Sequence, residues 1–466
     1  MAQHDNRPEP TADSSRTEEA HYGLTSHLVS EVKAAIEQNV GDRLRQLIGP
    51  VHVADQADLI ERLSGDERRT LVEALRETFD PEVLTYCNET VRNEIVEQLN
   101  PDEIIAAVVE METDDAVTLI EDLDAPQQRE VLDALPVKDR LEVEAGLLYP
   151  DDSAGRLMQH ELVSVAAYWT VGQTIDYMRE TEDLPETFYE IFVVDPKHEP
   201  VGTVVLSRML REKRPVAIGD IMETDLKTIP ATMDQEEVAY VFDQYDLVSA
   251  PVVNDEGRLI GVITVDDVVD VIQEEAEEDI MRLGGVAETD LYRAAFRTAR
   301  GRTTWLLVNL ATAILASVVI YQFDATIEQI VALAVLMPIV ASMGGNAGTQ
   351  TMTVAVRALA TRELTTTNVL RVLGKELIVG GFNGIVFALL IGLIAGVWYN
   401  DVPLGGVIAA AMVVNMLVAG ASGIIIPIAL ARLNIDPATA AGVLLTTVTD
   451  VVGFFAFLGL AAVFLL

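Results

Sequence analysis

Residues 438–465 read ATAAGVLLTTVTDVVGFFAFLGLAAVFL, a run of 28 residues whose only charged member is Asp450. About 20 apolar residues are enough to cross a bilayer as a helix. The run therefore predicts a membrane span with a carboxylate well inside it. Four more stretches qualify, at about 304–323, 329–356, 376–399 and 404–431. Their unequal lengths predict tilt or re-entrant backbone in some of them. Lys and Arg concentrate on the cytoplasmic side of membrane proteins, so they fix the orientation. Arg293, Arg297, Arg300 and Arg302 precede the first span, Arg357, Arg362, Arg371 and Lys375 lie between the second and third, and Arg432 lies between the fourth and fifth. The other two connections carry Asp324, Glu328 and Asp401 and no base. This alternation predicts a multi-pass protein of the cell membrane, N-terminus in the cytoplasm and C-terminus outside.

The rest of the chain has the opposite character. The 466 residues are 50% hydrophobic and 23% charged, with a formal net charge of −41. Residues 1–290 hold 66 of the 73 acids and 23 of the 32 bases, so the remainder is close to neutral. That acidity argues against nucleic acid as a partner and against docking to an anionic membrane surface. With six Lys against 26 Arg it also points to a proteome adapted to high salt. Cys87 is the single cysteine, which excludes an intrachain disulfide and any multi-cysteine metal site. Met1 to Arg16 has no apolar run of the kind a cleavable signal peptide needs, and residues 1–23 read as a disordered tail.

Residues 24–150 read as short amphipathic helices. Asn100-Pro101-Asp102-Glu103 and Asp124-Ala125-Pro126 each offer a capping side chain with Pro in the first turn. Starts about 24 residues apart predict stacked helical hairpins. A second repeat follows, over 151–216 and 217–272. Phe192-Val193-Val194-Asp195 and Pro200-Val201-Gly202-Thr203-Val204 in the first copy answer Pro251-Val252-Val253-Asn254 and Leu259-Ile260-Gly261-Val262-Ile263 in the second. The copies open on Arg156-Leu157-Met158 and Asp220-Ile221-Met222. Two apolar strands followed by an acid-capped helix, twice over, resemble a tandem pair of CBS domains. A helix over 266–283, ended by Gly284-Gly285, then leads through a connecting region (273–302) to the membrane domain (303–466). The fold class expected is multi-domain: α-helical, then α/β, then an all-α domain of five spans.

Polar groups inside the spans carry the chemistry. Gly344-Gly345-Asn346-Ala347-Gly348-Thr349-Gln350, after Pro338, predicts a broken or thinned second span, because free backbone groups at that depth must face protein or a water-filled cavity. An intramembrane acid costs at least ~2.5 kcal/mol, so Asp450 reads as functional. Asn415 in the fourth span and Asp436 at the start of the fifth are further candidates, although Asp436-Pro437 is equally a helix cap. No His or Cys occurs among the spans, which disfavours softer ions such as Zn²⁺. Enzymes fit poorly: an intramembrane zinc protease needs His in a span, and an aspartyl protease needs a second central acid. A sensor without transport needs no polar path.

Pro338 with the Gly344–Gln350 run, Asp436-Pro437-Ala438, Thr446-Thr447-x-x-Asp450-x-x-Gly453 and Val265-Asp266-Asp267-Val268-Val269-Asp270 followed by Glu278-Asp279-Ile280 resemble the MgtE family of magnesium channels, over about residues 50–466. The resemblance implies a homodimer with its pore on the two-fold axis, carrying Mg²⁺ into the cytoplasm through the lipid bilayer. It implies pore positions at Asp450, Asn346, Gly345, Asp436 and Asn415. It further implies that cytoplasmic Mg²⁺ closes the pore by bridging acids at Asp114, Asp234, Glu236, Asp246, Asp267, Asp270, Glu275, Glu278 and Asp279. Gly261-x-x-Thr264-x-x-Asp267 resembles a nucleotide-contacting stretch, with Thr264 and Asp267 as contacts and ATP as a modulator. Two positions depart from the family: Thr118 stands where another acid can occur, and Gly442 replaces a polar pore-side residue. Transport of Mn²⁺ or Co²⁺, or ion-coupled exchange, are the alternative readings.

Overall fold

The computed structural model describes residues 23–466 except residues 39, 182–183, 186, 287–294 and 366. The expected tail therefore lies almost wholly outside the described residues, as does Arg293. The chain forms two compact units, one ending at Ile272 and one from Gln273 to Leu466.

In the first unit, short helices follow one another from Ser26–Glu37 to Val137–Gly146. Asn100 and Glu103 form a reciprocal cap around Pro101, and Asp124 accepts from the Gln127 amide, so the starts read from the sequence are helix starts. Ion pairs tie each layer to the next: Arg68 to Glu94, Arg76 to Glu103 and Arg92 to Asp122, at separations of 26, 27 and 30 residues. The stacking repeat is thus slightly longer than the spacing of the two caps.

Two three-stranded sheets follow. In one, β1 (Ser164–Ala166) runs parallel to β2 (Glu190–Val194), which pairs antiparallel with β3 (Pro200–Val205). In the other, β4 (Ile229–Pro230), β5 (Ser249–Val253) and β6 (Leu259–Thr264) repeat that order. Val193 faces Gly202 and Val252 faces Gly261, each beside a register shift. The glycines admit backbone from the opposite copy: a methyl at Gly202 would lie 2.5 Å from Glu223 O, and one at Gly261 would lie 2.8 Å from Gln159 O. The opening segments are therefore exchanged. Gln159 bridges to Val262 and Glu223 to Thr203. Met158 accordingly packs in the second copy's core, Ile218 and Ile221 in the first copy's.

The helix Val265–Leu283 begins in the first unit and ends in the second. The second unit holds five helices long and apolar enough to span a membrane: Thr298–Tyr321, Ala332–Ala360, Val369–Trp398, Val402–Arg432 and Pro437–Phe464. The third starts seven residues before its apolar run and takes Arg371, Lys375 and Glu376 into the helix, as helix ends do where they meet the interface. The second corrects the expectation of a break, for it is one helix of 29 residues through Pro338 and all the glycines. Glycine still donates its amide hydrogen, and its missing side chain serves close packing. Gly348 admits Leu445 of the fifth span, and Gly344 admits Asn415 of the fourth.

Candidate functional site

The second span presents one face that packing within the chain leaves uncovered. Ser342, Asn346, Thr349, Gln350 and Thr353 are exposed along it, at helical spacing, and Asn346 Nδ2 lies 3.5 Å from Ser342 Oγ. Gly345 borders this face, and a methyl there would meet nothing within 4 Å. On the fifth span Thr446 is exposed and Asp450 half-buried. Such a polar stripe at membrane depth is incompatible with hydrocarbon and needs water or protein against it. Thr446, Thr447 and Thr449 spend their hydroxyl hydrogens on carbonyls of their own helix. The Asp450 carboxylate makes no such bond among the described residues.

Asn415 lies elsewhere than expected. It is fully buried, and its Nδ2 donates to Val340 O at 2.8 Å. It is wedged between Gly344, two residues before Asn346, and Gly453, three residues after Asp450. It therefore joins the second, fourth and fifth spans and does not line the exposed face. Asp436 caps the fifth span, accepting from the Ala438 amide at 2.8 Å and from the Thr439 hydroxyl. Arg282, at the end of the connecting helix, reaches Asp436 at 3.3 Å and also pairs with Glu278. Although burial pushes the Asp436 carboxyl up, those hydrogen bonds and Arg282 hold it below the usual range. Burial, then the charges of Asp436 and Glu275, raises Asp279.

The expected sensor acids fall into three groups. Glu275, Glu278 and Asp279 share the connecting helix. Asp234 and Glu236 open the helix Gln235–Tyr245 and Asp246 ends it at φ +53°; all three are exposed, and Asp234 caps the helix through the Glu236 amide. Asp114, Asp267 and Asp270 belong to an acidic cluster that also contains Glu112 and Asp115. Asp114 is 8% exposed, and its Oδ1 has no hydrogen-bond partner. Burial, then the charge of Asp267, holds Asp114 and Asp115 well above the carboxylate range. Glu112 is pushed up by the same two causes. Burial also raises Asp267, against the hydrogen bond that Thr264 Oγ1 donates to it at 2.7 Å. An all-oxygen donor set with an orphaned buried oxygen suits a hard divalent cation. Among the described residues no three acidic, His or Cys side chains already converge as a metal-holding set.

Sequence reasoning missed Glu112 and Asp115 because acids at a helix start read as dipole partners. It missed Glu376 because that residue sits at the very edge of its apolar run; the Thr351 hydroxyl donates to its carboxylate at 3.2 Å, joining the second and third spans.

Comparison with known proteins agrees with this layout. Residues 337–460 match the MgtE family, described as divalent cation transporter; residues 51–152 match the MgtE intracellular N domain, and 154–214 and 218–274 match CBS domains. The chain is 32% identical to the magnesium transporter MgtE of Thermus thermophilus over 95% of this chain and 99% of that protein. It is 30% identical to the magnesium transporter MgtE of Bacillus subtilis over 77% and 80%. A crystal structure of the cytosolic domain of the Mg²⁺ channel MgtE in complex with ATP aligns at a TM-score of 0.49 and 30% identity, covering 52% of this chain and 99% of that one. With near-complete coverage of a relative at that identity, the chain belongs to the MgtE family of divalent cation transporters.

Proposed function

We propose that this protein conducts Mg²⁺ across the cell membrane into the cytoplasm through a pore lined by the exposed polar face of the second and fifth spans. The observation that carries the reading is that face itself, with Asn346 exposed on it, Gly345 at its border and Asp450 half-buried on the fifth span, in helices otherwise built to meet lipid. Two copies facing each other across a two-fold axis cover the stripe and bring two Asp450 carboxylates together, enough charge for one dication. Mg²⁺ sheds water reluctantly and is held through few carboxylates, so the side chains act on its water shell. Asp436, beneath Asp450 on the same helix, marks the cytoplasmic mouth, and the N-terminus lies in the cytoplasm.

Gating follows from charge. Cytoplasmic Mg²⁺ bridges acids of the N-terminal helices, the second CBS domain and the connecting helix and holds the pore shut; its loss leaves like charges facing one another. Asp114 with its unpaired oxygen supports one such site, and Glu278 and Asp279 near Asp436 support another. Thr264 and Asp267 are the nucleotide contacts, with ATP as modulator. In a cytoplasm holding ~1 M salt, where the Debye length is about 3 Å, closure rests on a few direct bridges and not on long-range repulsion.

The test is Mg²⁺ flux into proteoliposomes by the purified protein and by Asp450→Ala, at zero and ~10 mM Mg²⁺ on the cytoplasmic side, a level chosen to fill weak oxygen sites. Flux that requires Asp450 and falls at high cytoplasmic Mg²⁺ is expected. Flux indifferent to Asp450 overturns the pore; Mn²⁺ or Co²⁺ flux without Mg²⁺ flux overturns the selectivity.

A further inference from the structure

Two carboxylates of the acidic cluster share a single amide. Gln159 Nε2 donates to Glu112 Oε2 at 2.8 Å and to Asp267 Oδ2 at 3.0 Å. The amide is not a loose surface group. Gln159 is 5% exposed. Its backbone is pinned in the exchanged segment, donating to Val262 O at 2.8 Å and accepting from Val262 N at 2.9 Å. Glu112 comes from the helical region and Asp267 from the second CBS domain, so the amide joins the two parts that a bridging ion would join.

We propose that Gln159 competes with the cation at this cluster: its amide holds Glu112 and Asp267 in the cation-free arrangement, and a divalent ion that bridges them displaces it. The proposal rests on the reading that cytoplasmic Mg²⁺ closes the pore. The physical reason is shared occupancy. The two amide hydrogens take the carboxylate lone pairs that a dication would take, and their partial positive charge repels it. A neutral donor is a weak substitute for a dication, so the cluster exchanges one for the other as Mg²⁺ rises. The unpartnered Asp114 Oδ1 is a further donor atom for the incoming ion. Glu112 then becomes a ligand from the N-terminal side, which supplies the charge that Thr118 does not.

The experiment uses the full-length protein in detergent and in liposomes, titrated with MgCl₂ at low salt and in ~1 M KCl. Two midpoints are read: protection from a protease, and inhibition of flux. Gln159→Met keeps the bulk and removes the amide. Both its midpoints are expected to fall about tenfold, the equivalent of a lost hydrogen bond to a charged group. Gln159→Leu, a second apolar replacement, is expected to shift the same way if Met folds poorly. Glu112→Gln is expected to raise both midpoints. A Gln159→Met midpoint that stays or rises overturns the proposal; a rise identifies the amide oxygen as a ligand. A wild-type protein with no Mg²⁺ response in either readout removes the gating reading, and this proposal with it. Normal wild-type closure with unshifted variants removes this proposal alone.

Discussion

A methyl group added at Gly344 would sit inside contact distance of Asn415, and one at Gly453 would lie 2.8 Å from Asn415 Nδ2. Gly344→Ala is therefore expected to cost about 1–3 kcal/mol through overpacking and to lower the thermal midpoint in detergent. Asn415→Ala on that background is expected to recover part of the loss, because the two sites share one contact. A simple sum of the single effects would show that the wedge does not couple the spans. The same amide marks the limit of sequence reading. Asp450 stands out in the sequence because a charge amid apolar residues has hardly any structural use there. Asn415 is not, because its type and depth fit a pore ligand and a packing wedge equally, and only the facing glycines decide. Glu112 and Gln159 are harder still. Their contacts lie 47 residues apart for one pair and 108 for the other, and nothing local announces them.

The elements were legible where a short signal decides them. Caps at Asn100 and Asp124, apolar runs and the doubled strand pattern all came through, because each depends on residues within one or two turns. The exchange of opening segments did not, because a strand's own sequence does not name its partner; Gly202 and Gly261 are its trace, each small where the other copy's backbone crosses. Stacking of the N-terminal helices yields a prediction at this scale. Arg92 and Asp122 pair at 2.7 Å with side chains only 13% and 16% exposed, whereas Arg76 and Glu103 are 42% and 29% exposed. Arg92→Met is expected to cost about 2–3 kcal/mol, the range for hydrogen bonds to charged groups, and Arg76→Met under about 1 kcal/mol. Equal losses in denaturant unfolding would mean that burial does not set the strength of these ties.

Taken whole, the chain joins a strongly acidic N-terminal region to a nearly neutral membrane domain, and the acids make its stability depend on pH. Asp114, Asp115, Glu112 and Asp267 are all raised by burial and mutual repulsion. The folded state therefore takes up protons that the unfolded chain, with ordinary carboxylates, does not yet bind. Stability rises as pH falls from about 8 to about 6. His160, lowered by burial, works in the opposite sense but is one group against four. The Mg²⁺-free thermal midpoint is expected to be a few degrees higher at about pH 6, the shift that about 1 kcal/mol produces. Saturating Mg²⁺ is expected to flatten or reverse the trend, since its ligands must be deprotonated. A midpoint that climbs with pH in both conditions would contradict the buried-acid account. The unbroken second span has a last consequence. Apart from Ala334, whose carbonyl faces Pro338 with its missing amide hydrogen, the interior carbonyls of that span are spent on their own helix, so among the described residues it offers no ring of bare backbone oxygens to strip an ion. In the pore proposed above, an ion would be measured with its water on, by hydrated radius and charge. A substitution-inert hexammine complex of cobalt(III), shaped like a six-water ion but unable to give up a ligand, is then expected to compete for the pore as an outer-sphere rival of Mg²⁺.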